Sequence, residues 1–166
     1  TLFRSESTQS GVYFLAGSVP YDSLSTFIDP LSNPAQKSYR YKISAVDTCG
    51  NESDLSTEHK TIHLSINQGL GGDINLIWSH YEGFTFSTYY IYRYTTPTGW
   101  LVKDSIQSNL NSITDFSPPQ ANLAYQVIVK PPAVCVAVKQ KNFNSSKSNT
   151  SSIPLSSSLS AVRKST

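Results

Sequence analysis

Apolar and polar residues alternate with a period of two along most of this chain. In SYRYKISAVD, Tyr39, Tyr41, Ile43 and Ala45 fall on one face and Arg40, Lys42 and Ser44 on the other, the mark of a strand with one buried side. The same alternation groups Ile62, Leu64 and Ile66 in TIHLSI, Ile74, Leu76 and Trp78 in DINLIWSH, and Tyr125, Val127 and Val129 in AYQVIVK. TLFRSES, at the start, reads as a strand already under way, and YIYRYTT (Tyr90 to Thr96) reads like the same strand again. Turn-forming clusters at 30–34, 69–73 and 117–119 separate the runs. A helical period is nearly absent; the best helix candidate, Ser56 to Thr61, is short and has no apolar face. The pattern predicts an all-β chain, and short strands at this spacing predict β-sandwiches.

The alternating segments also repeat. Leu24, Phe27 and Asp29 match Leu110, Ile113 and Asp115 at an offset of 86 residues, and Tyr39, Ile43 and Cys49 match Tyr125, Val129 and Cys135 at the same offset. Arg4 matches Arg93. A unit of about 86–90 residues is too long for a solenoid repeat and suits a small sandwich domain. By comparison between the two, the second unit is expected to be whole and the first to lack about its first 30 residues.

At these residues the chain resembles tandem fibronectin type III domains. In the second unit Ile62 to Ile66 resembles strand A, INLIW strand B with Trp78 as the core tryptophan, YYIYR strand C, WLVKDSI strand C′, SITDF strand E, AYQVIV strand F and NSSKSNTSS strand G. The first unit matches from strand C onward, most specifically in SYRYKISAVDTCGNES. The resemblance puts Tyr39 and Tyr125 at the tyrosine-corner position, so Trp78, Tyr39 and Tyr125 are the expected structural core. It implies immunoglobulin-like sandwiches in tandem: a partial domain over 1–59, a complete one over 60–153, and a Ser-rich linker or tail over 154–166. The connection KPPAVCVAVKQKN departs from the pattern, being about five residues longer than its counterpart. The wording of WSHYEGFTFSTYYIYR and AVDTCGNES is similar to modules of large secreted or surface proteins of Bacteroidetes-type bacteria. A sandwich lacking strands A and B exposes inner-face residues, here Leu2, Phe27, Tyr41 and Ile43. The second domain or another copy of the chain is expected to cover them, or the first unit to be unstable.

Composition narrows the function. Charged residues make up 14% of the chain, against roughly 25% in ordinary globular chains, and an uncharged polar surface suits a secreted or cell-surface setting. A net charge of +2 gives no basic face for nucleic acid. No apolar run approaches the roughly 18 residues of a membrane helix, so membrane insertion is not expected. His59 and His63 lie about 13 Å apart on an extended chain, too far for one metal ion. Neither a Gly-x-Ser-x-Gly elbow nor a phosphate loop is present, since GLGG at 69–72 lacks a following Lys-Ser/Thr. DTCGNESD carries Asp47, Asn51, Glu52 and Asp54 but not the spacing of a calcium loop. Cys49 and Cys135 occupy matched turns of a tandem, about one domain apart, which is beyond disulfide reach. No enzyme activity and no cofactor are expected.

The strongest binding signal is aromatic. Tyr81, Phe84, Phe86, Tyr90, Tyr92 and Trp100 form the candidate surface, with Tyr90 and Tyr92 facing outward and Tyr89 and Ile91 inward. Open aromatic rings suit sugar stacking or protein contact; cross-strand pairs that stabilise a sheet are the competing reading. Asn51, Asn144 and Asn149 begin glycosylation sequons. The expected function is a non-catalytic extracellular spacer and display module. The alternative is a carbohydrate- or protein-binding adhesion module. Expected partners are neighbouring domains of the same polypeptide, a surface protein or glycan, and a second copy meeting the incomplete first unit.

Overall fold

A computed structural model describes residues 2–5, 11–23, 26–119, 122–133 and 144–153. Every regular element in it is a strand, apart from one 3-10 turn at Leu70–Gly72. The chain is all-β.

Four strands make the first sheet: β1 (Leu2–Ser5), β2 (Tyr13–Gly17), β3 (Arg40–Ile43) and β4 (His59–Lys60). They are antiparallel in the order β2-β1-β3-β4. Residues 59–60, expected at a domain boundary, are thus the last strand of this sheet. Residues 26–29, expected as a strand, carry no strand pairing; Leu24 lies outside the described residues.

The described strands from Leu64 onward form two sheets facing each other. β5 (Leu64–Gln68), β6 (Ile74–Trp78) and β9 (Ser112–Asp115) pair in the order β5-β6-β9. β7 (Thr88–Thr95), β8 (Gly99–Gln107), β10 (Leu123–Val129), β11 (Ser146–Lys147) and β12 (Ser151–Ile153) form the other, with β8 at one edge and β11 and β12 both against β10. Alternation sends Ile74, Leu76 and Trp78 from one sheet and Tyr89, Ile91, Tyr125, Val127 and Val129 from the other into a single core. Each is at most 2% exposed, and full burial of such a side chain is worth about 1.5–3 kcal/mol. Asn149 ties the two sheets together: its Oδ1 accepts the Leu64 amide at 2.7 Å and its Nδ2 donates to the Leu64 carbonyl at 3.0 Å.

The strand registers correct the internal equivalence. Arg4 pairs with Tyr41 and Leu2 with Ile43 in the first sheet. Arg93 pairs with Tyr125 and Ile91 with Val127 in the five-stranded one. Tyr41, not Tyr39, is therefore the counterpart of Tyr125, and Ile43 is the counterpart of Val127. Side-chain chemistry agrees. The Tyr125 hydroxyl donates to Asp115 Oδ2 at 2.8 Å and the Tyr41 hydroxyl to Asp29 Oδ2 at 3.0 Å. Tyr39 is buried, and its hydroxyl accepts the Asn33 amide at 2.8 Å, six residues upstream. A bond from the tyrosine hydroxyl to the backbone a few residues upstream is what a tyrosine corner makes; among the described residues, the Tyr125 hydroxyl bonds the Asp115 carboxylate.

Candidate functional site

The six aromatic candidates part company. Tyr81 is only 7% exposed, and Phe84 and Phe86 pack against the core beside it. The chain leaves β6 and turns at Gly83, whose φ of +152° excludes a side chain. A Cβ there would meet His59 Nδ1 and the Tyr81 hydroxyl at 2.5 Å. The turn folds three rings back over Tyr89: Tyr81 lies 4.7 Å from Phe84, and Phe86 lies 4.9 Å from Tyr89 at 73°. These edge contacts are core packing, so Tyr81, Phe84 and Phe86 are not a joint outward surface. Burial raises the Tyr81 and Tyr89 hydroxyls above the ordinary tyrosine value. Tyr81 holds its hydroxyl 3.0 Å from His59 Nδ1, and Tyr89 accepts the Tyr81 amide at 3.0 Å.

Tyr90, Tyr92 and Trp100 lie on the other face of the five-stranded sheet, joined by Tyr94. Tyr94 pairs with Trp100 across β7 and β8. Their rings are 5.6 Å apart, and they are 36% and 42% exposed. Lys130 sits over the Tyr90 ring with Nζ 4.8 Å from its centre, a cation–π contact. A bulge between Ile91 and Tyr92 shifts the pairing with β8, and Leu101 and Val102 beside Trp100 are also exposed.

A second cluster joins the facing sheets. Asp115, 3% exposed, accepts from Arg93 at 2.7 Å and from the Tyr125 hydroxyl, and Lys103 Nζ stands 3.5 Å from its other oxygen. Burial first, and then the hydrogen bond to the Asp115 carboxylate, push the Tyr125 hydroxyl well above the tyrosine range.

The third feature is the seam where the first sheet meets the rest of the chain. Arg40 on β3 forms ion pairs with Glu58 and, at 2.7 Å, with Glu82; Lys60 on β4 reaches Glu82 at 3.0 Å. The hydrogen bond from Arg40, then that from Lys60, hold the Glu82 carboxyl below its usual value. Backbone bonds cross the same line, from the Lys60 amide to the Glu82 carbonyl and from the Thr61 amide to the Tyr39 carbonyl, both 2.8 Å. His63 Nδ1 donates to the Pro34 carbonyl at 2.9 Å. A cleft of ≈ 390 Å³ opens here, its lining including Tyr41, His59, Tyr81, Phe84, Pro131 and Ser145.

The remaining motifs close on themselves. Asp47 accepts the amides of Cys49 and Asn51 and the Asn51 side chain, which lowers its carboxyl, the Asn51 side chain first. Cys49 is a free, exposed thiol; Cys135 lies outside the described residues. Among the described residues no group of three His, Cys, Asp or Glu side chains is placed to hold one metal ion, and no helix is long and apolar enough to cross a membrane. Comparison with family models, curated proteins and solved structures finds no match to this chain.

Proposed function

We propose that the chain is a non-catalytic spacer and display module of a larger secreted or cell-surface protein, built from fibronectin type III-like units in tandem. Strand order supports the family reading. β8-β7-β10 with β11 and β12 runs in the order C′-C-F-G, β5-β6-β9 runs A-B-E, and β2-β1-β3-β4 repeats C′-C-F-G. The observation that carries the spacer reading is the seam. Two ion pairs converge on Glu82, and two backbone bonds run beside them, an arrangement that fixes one unit's orientation on the next. A spacer transmits position only if its joints are stiff. NMR relaxation on the whole chain tests this: one rotational correlation time for amides of β3 and of β6, and two for the double variant Arg40→Ala, Glu82→Ala. Independent tumbling in the unmodified chain would sink the spacer reading.

The exposed Tyr94–Trp100 pair supports the second reading, an adhesion module that stacks on a sugar or protein. A glycan array probed with the chain and with Trp100→Ala separates the two: a signal lost in the variant favours adhesion.

A further inference from the structure

Three tyrosines on β7 and the residues opposite them make a continuous face on the outer side of the five-stranded sheet. Residues opposite each other on paired strands share a face, so the pairing fixes its rows. Trp100, Tyr94 and Ala124 make the first row, and Val102, Tyr92 and Gln126 the second. In the third, Tyr90 stands opposite Ile128, and Ile128 opposite Lys147. From Tyr94 to Tyr90 is about 13 Å along the strand. The first row is uncharged and open, with Tyr94 36% and Trp100 42% exposed. The third is cationic: Lys130 Nζ lies 4.8 Å from the centre of the Tyr90 ring, and Lys147 is exposed on the same face.

The face is one-sided in charge. The chain has 11 aspartates and glutamates, and of these only Asp104 is on the five strands of this sheet; it stands opposite the buried Ile91, on the inner side. Among the described residues neither Lys130 nor Lys147 is in an ion pair. The segments that follow β10 and β12 in the chain do not bring the missing charge. Residues 134–143 read VCVAVKQKNF and residues 154–166 read PLSSSLSAVRKST, with lysine and arginine but no carboxylate. A second copy offering this same face brings the same lysines and again no carboxylate. Charge complementarity therefore points to an anionic partner of another kind.

We propose, resting on the adhesion reading of the same surface, that this face binds an acidic glycan: an oligosaccharide in which some rings carry a carboxylate and others none. Uncharged rings lie on Tyr94 and Trp100, whose own rings are 5.6 Å apart, because the apolar face of a sugar packs on an aromatic ring. A carboxylate further along pairs with the Lys130 and Lys147 ammoniums. Gln126 stands between the two ends. Its Nε2 donates to the Ser148 carbonyl at 3.1 Å, which leaves Oε1 to accept from a sugar hydroxyl. The distance from the first row to the third requires a chain of rings rather than a single sugar. Cations at one end only suit a sparsely charged chain. A nucleic acid carries a phosphate at every step and needs basic groups along its whole path, and the Trp100 row has none.

The test titrates the whole chain with a hyaluronan hexasaccharide, whose carboxylates alternate with uncharged rings, and with the same hexasaccharide after its carboxylates are reduced to alcohols. The expected result is saturable binding of both, with the acidic form about tenfold tighter at low salt and that advantage shrinking at high salt, where the charges are screened. The double variant Lys130→Gln, Lys147→Gln should remove the advantage, and Trp100→Ala should remove the binding of both sugars. All three side chains are exposed, so each variant should keep the unfolding transition of the second unit. Equal binding of the two sugars, lost in Trp100→Ala, would overturn the acidic-glycan proposal and leave the adhesion reading standing. Binding of neither at millimolar sugar would overturn the proposal, and the glycan array then decides the adhesion reading by itself. Tighter binding of a heparin hexasaccharide or of oligo-dT would overturn it in favour of a densely charged polyanion, and a dimer abolished by the lysine variant would overturn it in favour of a second copy.

Discussion

Replacing Asp115 by Ala should destabilise the second unit by about 3 kcal/mol, and the paired substitution at Asp29 should cost the first far less. In the second unit the carboxylate is 3% exposed and serves two partners at once. Its loss leaves the Tyr125 hydroxyl, in a residue 0% exposed, without an acceptor, and an orphaned buried polar group costs about 1–3 kcal/mol. The same change strips Arg93 of its 2.7 Å partner. Breaking a buried pair from one side costs about 3–5 kcal/mol. Here the lower end applies, because the Arg93 and Lys103 side chains are 24% and 33% exposed and keep contact with water. At Asp29 the Tyr41 hydroxyl belongs to a residue that is only half-buried and can rehydrate, so the cost there should stay below about 1 kcal/mol.

Urea unfolding followed by tryptophan fluorescence suits the measurement, because both tryptophans, Trp78 and Trp100, are in the second unit. Tyr125→Phe alone should cost about 1 kcal/mol, since Asp115 keeps Arg93. Added to Asp115→Ala it should restore part of the loss, because the stranded hydroxyl is gone; that coupling is the mark of a shared network. If Asp115→Ala costs under about 1 kcal/mol, or no more than Asp29→Ala does by exchange in the first sheet, the burial argument is wrong.

Trp78→Ala should cost about 3–5 kcal/mol, as large-to-small core changes do, and a loss below about 1 kcal/mol in urea would remove Trp78 from the core. Tyr81, Tyr89 and Tyr125 have raised folded-state values, so their contribution is complete below the unfolded tyrosine value of about 10 and is lost as pH rises through the folded ones. Tyrosinate absorbance should therefore appear in two stages, the second coinciding with the fluorescence change of unfolding; a single stage completed in the native chain would refute this. Glu82 has a lowered value, so its ion pairs stabilise above the unfolded glutamate value and fade as pH falls through the folded one. Glu82→Gln should flatten that acid limb, by less than about 1 kcal/mol because the side chain is 43% exposed, and an unchanged limb would count against the seam. Cys49, exposed and free, should react with a thiol reagent in the native chain without denaturant; protection would mean that the loop is covered.

Sequence reasoning reached part of the aromatic site and missed part of it for a definite reason. Within β7, alternation separates Tyr89 and Ile91 from Tyr90 and Tyr92, and the structure keeps them on opposite faces. Tyr81, Phe84 and Phe86 lie between β6 and β7, where no strand period exists to assign a face. Their direction is set by the turn at Gly83 and by His59, a residue 22 positions away from Tyr81. Tyr94 and Trp100 could have been found as a pair, because counting strand positions from Tyr90 puts Tyr94 on the outward side. What no local pattern contains is the register that brings Trp100 opposite it, since a bulge intervenes.

The same limit explains the tyrosine equivalence. An alignment by residue type alone matches Tyr39 to Tyr125, but β3 and β10 carry apolar residues at every second position, so a slip of two preserves the pattern and every face. Only cross-strand pairing resolves it: Arg4 stands opposite Tyr41 and Arg93 opposite Tyr125. Two is the smallest slip that the alternation cannot detect, whereas a slip of one would turn each apolar residue outward. Alternation likewise states which residues share a face and is silent on what lies against them. Ile43 and Val127 stand at equivalent places in equivalent strands, yet one is 59% exposed and the other 0%. Burial in a sandwich is a property of two sheets, and the part of it that a strand's own sequence carries is only the half that the strand contributes.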